Sequence, residues 1–320
     1  MTVRITSGLN PYTDARDVLR GVELGGRTAI VTGGATGIGI ETARALAEGG
    51  ADVVVAVRKP DLGAAAVAEV NASAGREAAR AMHLDLADLA SVRAFAEAWG
   101  EQPLHLLINN AGVMASPFGH TNDGFELQFG TNHLGHFLLA VLLAPALERA
   151  AQPGRTARVV ALSSTAHRRA NVDFDDLHFA RRPYDKWVSY GQSKTANALF
   201  AVGFHHRFAA RGITANSVMP GGIMTPLQRH MGREEMIALG WINEAGEVRQ
   251  GFKTPAQGAS TSVWAAIGPE LEGVGGLYLE NLAQAEPATR ENRYGGVEPY
   301  ALDPDAAERL WRVSERLVGV

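Results

Sequence analysis

Tyr190 and Lys194 are the first residues in this chain whose types and spacing could do chemistry together. They bracket the run Tyr190-Gly191-Gln192-Ser193-Lys194, so a helix would place both on one face. A free phenol has a pKa of about 10 and is a poor acid or base near neutrality. A neighbouring ammonium stabilises the phenolate and lowers that value. The pair therefore suits proton exchange with a carbonyl oxygen. Upstream, the strand-like run Val159-Val160-Ala161-Leu162 ends in two hydroxyls, Ser163 and Ser164. Tyr and Lys at this spacing also occur by chance, so the pair needs a context.

A glycine-rich turn supplies one. Ile30-Val31-Thr32-Gly33-Gly34-Ala35-Thr36-Gly37-Ile38-Gly39 reads as a strand, a turn and the opening of a helix. Free N–H groups at a helix N-terminus favour a pyrophosphate. Gly33 permits the tight turn, Gly37 lets backbone approach phosphate, and Gly39 lets helix and strand sit close. About 20 positions further on, an acidic residue would accept from a ribose 2′-hydroxyl and favour NAD(H). Here the second strand-like run ends in Arg58 and Lys59, which would pair a 2′-phosphate and favour NADP(H). Asp61, after Pro60, is the rival; it is better placed to cap the next helix. The bland alternative is that Arg58 and Lys59 are solvated loop charges.

The elements that must position these residues alternate along the chain. Strand-like runs fall at 28–32, 52–57, 81–86, 104–109, 158–163, 214–219 and 274–279. Each is near-continuously apolar and bounded by Gly, Pro, Asn or Asp, as strands covered on both faces are. Helical spacing appears between them at 38–48, 62–74, 89–99, 125–151 and 189–210. This order predicts an α/β fold: one Rossmann-type, doubly wound parallel sheet of about seven strands with helices on both faces. The expected organisation is an N-terminal extension over 1–24 and one catalytic domain over 25–320. That domain includes a substrate loop at 222–253 and a helical tail at 303–320, with Asp303 as N-cap and Pro304 in the first turn.

Composition excludes several classes. The 320 residues hold 34 acidic and 30 basic side chains, a net charge of −4, which argues against nucleic acid as a partner. With no cysteine, disulfides, thiolate catalysis and cysteine metal sites are ruled out. The longest apolar stretch, 137–147, is shorter than a membrane span and reads as a buried helix. Residues 1–23 lack the apolar run of a secretory signal. The expectation is a soluble cytoplasmic protein with no membrane partner.

Five ordered motifs together resemble the short-chain dehydrogenase/reductase family. The turn from Thr32 to Gly39 matches its TGxxxGxG, and Asn109-Asn110-Ala111-Gly112 its NNAG. Asn132 lies in the long helix where the family keeps an asparagine. Ser164, Tyr190 and Lys194 match its Ser and YxxxK, and Pro220-Gly221-Gly222-Ile223-Met224-Thr225 its PGxxxT. The resemblance covers residues 27 to about 280 and implies roles. Tyr190 would be general acid in reduction and base in oxidation. Lys194 would hold the nicotinamide ribose and tune Tyr190. Ser164, preferred to Ser163 because the family's serine lies just past the strand, would hydrogen-bond the substrate oxygen. Asn132 would anchor a water leading protons to Lys194. Asp85 and the adjoining Leu86 would lie near the adenine. Asn109, Ala111 and Gly112 would line the cofactor, with Asn110 as support. Ile223 and Thr225, after Pro220 and Gly221, would meet the carboxamide.

One departure is visible. Tyr190 follows Ser164 by 26 positions, about twice the family's common separation. With Thr195-Ala196-Asn197-Ala198-Leu199-Phe200 after Lys194, this resembles the retinol-dehydrogenase-like and WW-domain-oxidoreductase-like branch. The implied activity interconverts a carbonyl and an alcohol on a small, fairly apolar molecule, in a homodimer or homotetramer. A nucleotide-sensing binding protein and a redox-neutral epimerase are the alternatives on the same fold.

Other residues admit two readings. His133 and His136, one helical turn apart, suit helix packing better than a metal, and no metal site is expected. His167 could reach the pocket or lie on a surface loop. Arg168-Arg169 and Arg181-Arg182 read as solvated charges rather than a clamp on an anion. Met224, Leu227, Met231, Met236, Ile237 and Trp241 could close over an apolar substrate or simply pack their loop.

Overall fold

A computed structural model describes residues 4–320. The eight strands are β1 (Thr28–Thr32), β2 (Asp52–Val57), β3 (Ala79–His83), β4 (Leu106–Asn109), β5 (Ala157–Leu162), β6 (Ile213–Met219), β7 (Tyr278–Glu280) and β8 (Ala283–Gln284). They form one sheet in the order β3-β2-β1-β4-β5-β6-β7-β8, parallel except for β8. The helices are α1 (Gly37–Glu48), α2 (Pro60–Ala74), α3 (Leu89–Trp99), α4 (Leu127–Phe129), α5 (Gly135–Ala150), α6 (Lys186–Phe208), α7 (Arg233–Ala238), α8 (Pro255–Ile267) and α9 (Pro304–Val318).

The apolar strand runs follow from burial on both faces. Ile30, Val54, Leu107 and Val159 point into the layer formed with α3, α5, α6 and α9. Their neighbours Val31, Val55, Ile108 and Val160 point into the layer formed with α1, α2 and α8. Strand order reverses between β1 and β4, and a crevice at such a switch point is where doubly wound sheets bind ligands.

Several boundaries differ from expectation for physical reasons. The third strand ends at His83, because pairing with β2 stops at Val57; Leu84 and Leu86 are buried beyond it as loop residues. The fourth begins at Leu106 rather than residue 104. The seventh begins at Tyr278, because Gly276 (φ +75°) turns the chain before the strand. The eighth strand was not expected: Asn281 and Leu282, both with positive φ, make its hairpin without a glycine. Asp61 is no N-cap. The cap of α2 is Lys59, Pro60 opens the helix and Asp61 sits in its first turn, where a carboxylate favours the helix dipole.

The expected helix over 125–151 is interrupted. A π-helical turn, Gly130–Leu134, joins α4 to α5 and carries Asn132. Such turns concentrate at functional sites. Among the described residues, 127–150 is the one stretch long and apolar enough to cross a membrane, and 83% of its apolar window is buried inside the protein.

The leader packs on the body. Thr6 bridges Ala283 of β8, and Leu19 and Leu24 press against Gly49. At the other end, α9 lies on α5 and α6. Its Trp311 ring sits 4.8 Å from Phe137 and stacks on Phe200 at 6.3 Å. Trp311→Ala should therefore lower the unfolding free energy by about 3–5 kcal/mol, read by chemical denaturation.

Candidate active site

The ends of β1 and β4 are stitched together around the glycine-rich turn. Thr32 Oγ1 accepts from the backbone N–H groups of Asn110 (2.9 Å) and Ala111 (3.0 Å), while Asn110 Nδ2 donates to the Thr32 carbonyl (2.8 Å). Gly33 and Gly37 take positive φ, at +63° and +56°. A Cβ on Gly39 would lie 2.2 Å from the Gly33 carbonyl oxygen, so only glycine fits there. Thr36 is the N-cap of α1 but makes no side-chain cap, and the first turn holds no acidic residue. The turn thus offers uncapped N–H groups, as an anion site requires.

A cavity of about 510 Å³ opens from this turn. Gly33, Thr36, Gly37, Ile38 and Gly39 form one wall, continued by Asn110, Ala111 and Gly112. Pro220, Gly221, Ile223 and Thr225 face them, and Thr225 Cβ comes within 3.2 Å of where a Gly37 side chain would begin. Ser164, Tyr190 and Lys194 line the same cavity.

The remaining expected cofactor residues lie outside its walls. Arg58 and Lys59 are exposed after β2. Asp85 follows β3, where its carboxylate accepts from Ala87 N (2.9 Å). Leu86 is buried against Gly135. Asn109, at the end of β4, is 1% exposed and keeps both amide atoms without a partner among the described residues. Orphaned buried polar atoms and a cradle closed to any Cβ fit a dinucleotide spanning the switch point.

Asp185 starts α6 by accepting from Trp187 N and Val188 N, three residues before the expected start. Tyr190 and Lys194 follow on one buried face, each 4% exposed. Lys194 Nζ donates to the Leu162 carbonyl (2.9 Å) and lies 5.6 Å from the Tyr190 ring centre. Ser163 Oγ donates to the Lys194 carbonyl (2.8 Å), which leaves Ser164 as the hydroxyl beside Tyr190. The expected lowering of the Tyr190 pKa is not found. Burial pushes it up to about 12, opposed by a hydrogen bond with Ser164, while burial lowers Lys194 to about 8. Desolvation is the largest influence on both groups, because both side chains are buried.

Asn132 does not line the cavity; it braces it from beneath. Its Oδ1 accepts from Val113 N (2.8 Å) and its Nδ2 donates to Val113 O and Ser193 Oγ (2.9 Å each). Its carbonyl accepts from His136 Nδ1 (2.9 Å), and the Thr32 hydroxyl meets the other ring nitrogen (2.9 Å). His136 therefore ties the glycine-rich turn to Asn132.

His133 meets Ser314 of α9 (2.8 Å), and no group of three metal-binding side chains exists among the described residues. His167 is on no surface loop. It is buried, meets the Ser164 carbonyl through Nδ1 (2.7 Å) and accepts from Glu298 N through Nε2 (3.1 Å). Of the two arginine pairs, Arg169 is exposed with no hydrogen-bond partner among the described residues, as expected, while the other three find local acceptors. Arg168 donates to Gly295 O (2.8 Å) and Thr289 O (2.7 Å). Arg181 reaches the Asp175 carbonyl, and Arg182 lies 3.9 Å over Phe179 and donates to Gln192 (2.9 Å). Long arginine stems cover apolar surface while their heads find local acceptors.

These buried histidines carry a pH prediction. Burial holds His133 down to about 3, and His136 and His167 to about 4, against an ordinary 6.5. The unfolded chain takes up these protons first. Their stabilisation is therefore complete above about pH 6.5 and is lost as pH falls through about 4. Thermal midpoints should drop over that window, and less steeply in His133→Gln.

Some cavity residues were not foreseen. Trp187, Arg249, Phe252, Arg293 and Tyr294 all line it. Trp187 was findable, since it sits three residues before Tyr190 and so on the same helical face. Arg249 and Phe252 fall within the expected substrate loop at 222–253, whereas Arg293 and Tyr294 arrive from beyond the last strand with no local signal. Leu227 and Trp241 do reach the cavity; Met224, Met231, Met236 and Ile237 do not line it.

Comparison with known proteins agrees with this geometry. The short chain dehydrogenase family model matches residues 27–236. A "Probable oxidoreductase" from Streptomyces antibioticus is 50% identical, covering 91% of this chain and 97% of that protein. Mouse "Polyprenol dehydrogenase" is 46% identical over 92% of this chain and 84% of its own. Human "Retinol dehydrogenase 13" is 40% identical over 92% and 85%. A crystal structure of an uncharacterized protein from Mycobacterium paratuberculosis superposes with a TM-score of 0.71 at 32% identity, covering 98% of both chains. The Pseudomonas aeruginosa RhlG/NADP active-site complex gives 0.62 at 25% identity, covering 85% of this chain and 98% of its own. A match over more than half of the chain and relatives of this identity lead to one conclusion: the chain belongs to the short-chain dehydrogenase/reductase family of oxidoreductases, in its retinol-dehydrogenase-like branch.

Proposed function

We propose that the protein interconverts a carbonyl and an alcohol with NADP(H), on a small, largely apolar substrate. The observation that carries this reading is one cavity walled both by the phosphate-binding turn and by Ser164, Tyr190 and Lys194. Bound nicotinamide supplies or accepts the hydride. The chain does the rest. Gly33, Thr36, Gly37, Ile38 and Gly39 hold the pyrophosphate with backbone N–H groups. Ala111 and Gly112, with Pro220, Gly221, Ile223 and Thr225, line the cofactor's path; Asn109 backs it from the end of β4, and Asp85 and Leu86, beyond the cavity walls, are assigned to the adenine end.

Ser164 donates to the substrate oxygen, and Tyr190 exchanges the proton there. A phenol held at about 12 is protonated at neutral pH, ready to donate as charge develops on a carbonyl oxygen. Lys194 keeps most of its charge at pH 7 and stabilises the phenolate that donation leaves. Asn132 fixes the strand-end loop through Val113. The names of the polyprenol and retinol relatives support an apolar substrate.

The preference for NADP(H) rests on Arg58 and Lys59, exposed after β2 with no ion pair among the described residues. Arg58→Ala should weaken NADPH binding roughly tenfold or more, a charge-assisted hydrogen bond's worth, and leave NADH unchanged. Calorimetric titration with both nucleotides reads this. Equal losses for both would move the 2′-phosphate site elsewhere, and tighter NADH binding by the unaltered protein would reverse the preference.

A further inference from the structure

The protein carries a net charge of −4, yet no aspartate or glutamate lines the cavity. Five arginines and one lysine do. Lys194 belongs to the proton site, and Arg168 is bound to Glu298 and to the carbonyls of 289–295. Arg229 donates to the Pro226 carbonyl (3.2 Å). Arg169, Arg249 and Arg293 remain. All three are exposed at the mouth, and their guanidinium groups make no ion pair or hydrogen bond among the described residues.

Two of the three are held in place by rings. The Arg169 guanidinium lies 5.3 Å over Trp187, and that of Arg249 lies 4.1 Å over Tyr294. Arg293 adjoins Tyr294, whose carbonyl accepts from Thr165 (3.4 Å), one residue past Ser164. The nearby carboxylate of Glu235 is already taken by Lys186 (2.7 Å) and the Trp187 indole (2.9 Å). Beneath this rim the wall is aromatic. Trp187 is 6.3 Å from Tyr190 and 5.9 Å from Trp241, which is 6.2 Å from Phe252.

We propose that the substrate is an amphiphile: an apolar body that carries the reacting carbonyl or alcohol to Tyr190, with an anionic group at its far end held by Arg169, Arg249 and Arg293. This deepens the carbonyl–alcohol reading and rests on it for the reacting group. An apolar wall between a buried phenol and a ring of unpaired guanidiniums recognises both ends of such a molecule, and stacked arginines favour carboxylates, phosphates or sulfonates. A neutral lipid would leave the rim unused.

The test needs no turnover. With NADPH saturating the glycine-rich turn, so that neither ligand can react, the protein is titrated calorimetrically with decanoate and with decanol. Decanoate should bind about tenfold tighter or more, a gap of one order in Kd. That preference should fade with added salt and shrink to within about twofold in R169A/R249A/R293A. R169Q/R249Q, which keeps side-chain bulk, should lose most of it should the triple variant fold poorly. Equal binding of the two ligands, binding of neither, or a preference that survives the substitutions overturns the proposal. Loss of hydride transfer with this preference intact would instead defeat the carbonyl–alcohol reading alone.

Discussion

Tyr190→Phe should lower kcat/KM by about 10²- to 10⁴-fold, the range for a lost general acid, while NADPH binding stays within error of the unaltered protein. The substitution deletes one oxygen from a ring that is 4% exposed and leaves its packing on Trp187 in place. Ser164 can still polarise the substrate oxygen, so a residual rate remains, but no proton reaches it from the chain. The loss should appear in kcat more than in KM, because the proton is needed only as charge develops. Steady-state rates on a responsive aldehyde, with calorimetry on NADPH, separate the two. Turnover equal to the unaltered protein would remove Tyr190 from the chemistry.

Gly39→Ala should abolish measurable NADPH binding or weaken it at least about tenfold, and cost about 1–3 kcal/mol of stability through overpacking. The added methyl would sit 2.2 Å from the Gly33 carbonyl oxygen and 2.6 Å from Asn110 Nδ2. The first is backbone and cannot rotate away. The second is the amide that stitches β4 to β1. Relief requires α1 to move off the turn, which withdraws its N–H groups from the phosphates. Gly25→Ala is the control, since a side chain there meets nothing within 4 Å. An unchanged Kd and unfolding midpoint in Gly39→Ala would contradict a phosphate cradle at Gly33–Gly39.

The parts legible beforehand were those written in short contiguous runs. Strand–turn–helix at 30–39 and the Tyr190–Lys194 pair were readable because a local spacing dictates a local geometry. The fold followed from strands buried on both faces. What was not legible depends on contacts far apart in sequence. Nothing around His167 announces that Glu298 will hold it under Ser164. Nothing near Arg293 or Tyr294 announces that residues after the last strand return to wall the cavity. The raised pKa of Tyr190 is not legible in the sequence, because spacing says which groups are near, whereas burial decides how much their charges cost. The eighth strand escaped because its turn places a leucine at positive φ, against the usual residue preference.

Hydride transfer can be followed with an isotope. The protein is incubated with NADPH deuterated at the transferring position of the nicotinamide and with a panel of apolar and amphiphilic aldehydes, and the products are analysed by mass spectrometry. An alcohol carrying one deuterium at the former carbonyl carbon should form with the unaltered protein, and about 10²- to 10⁴-fold more slowly with Tyr190→Phe. Tight nucleotide binding with no label transferred to any aldehyde, or a rearranged product with the label still on the cofactor, would contradict carbonyl–alcohol interconversion.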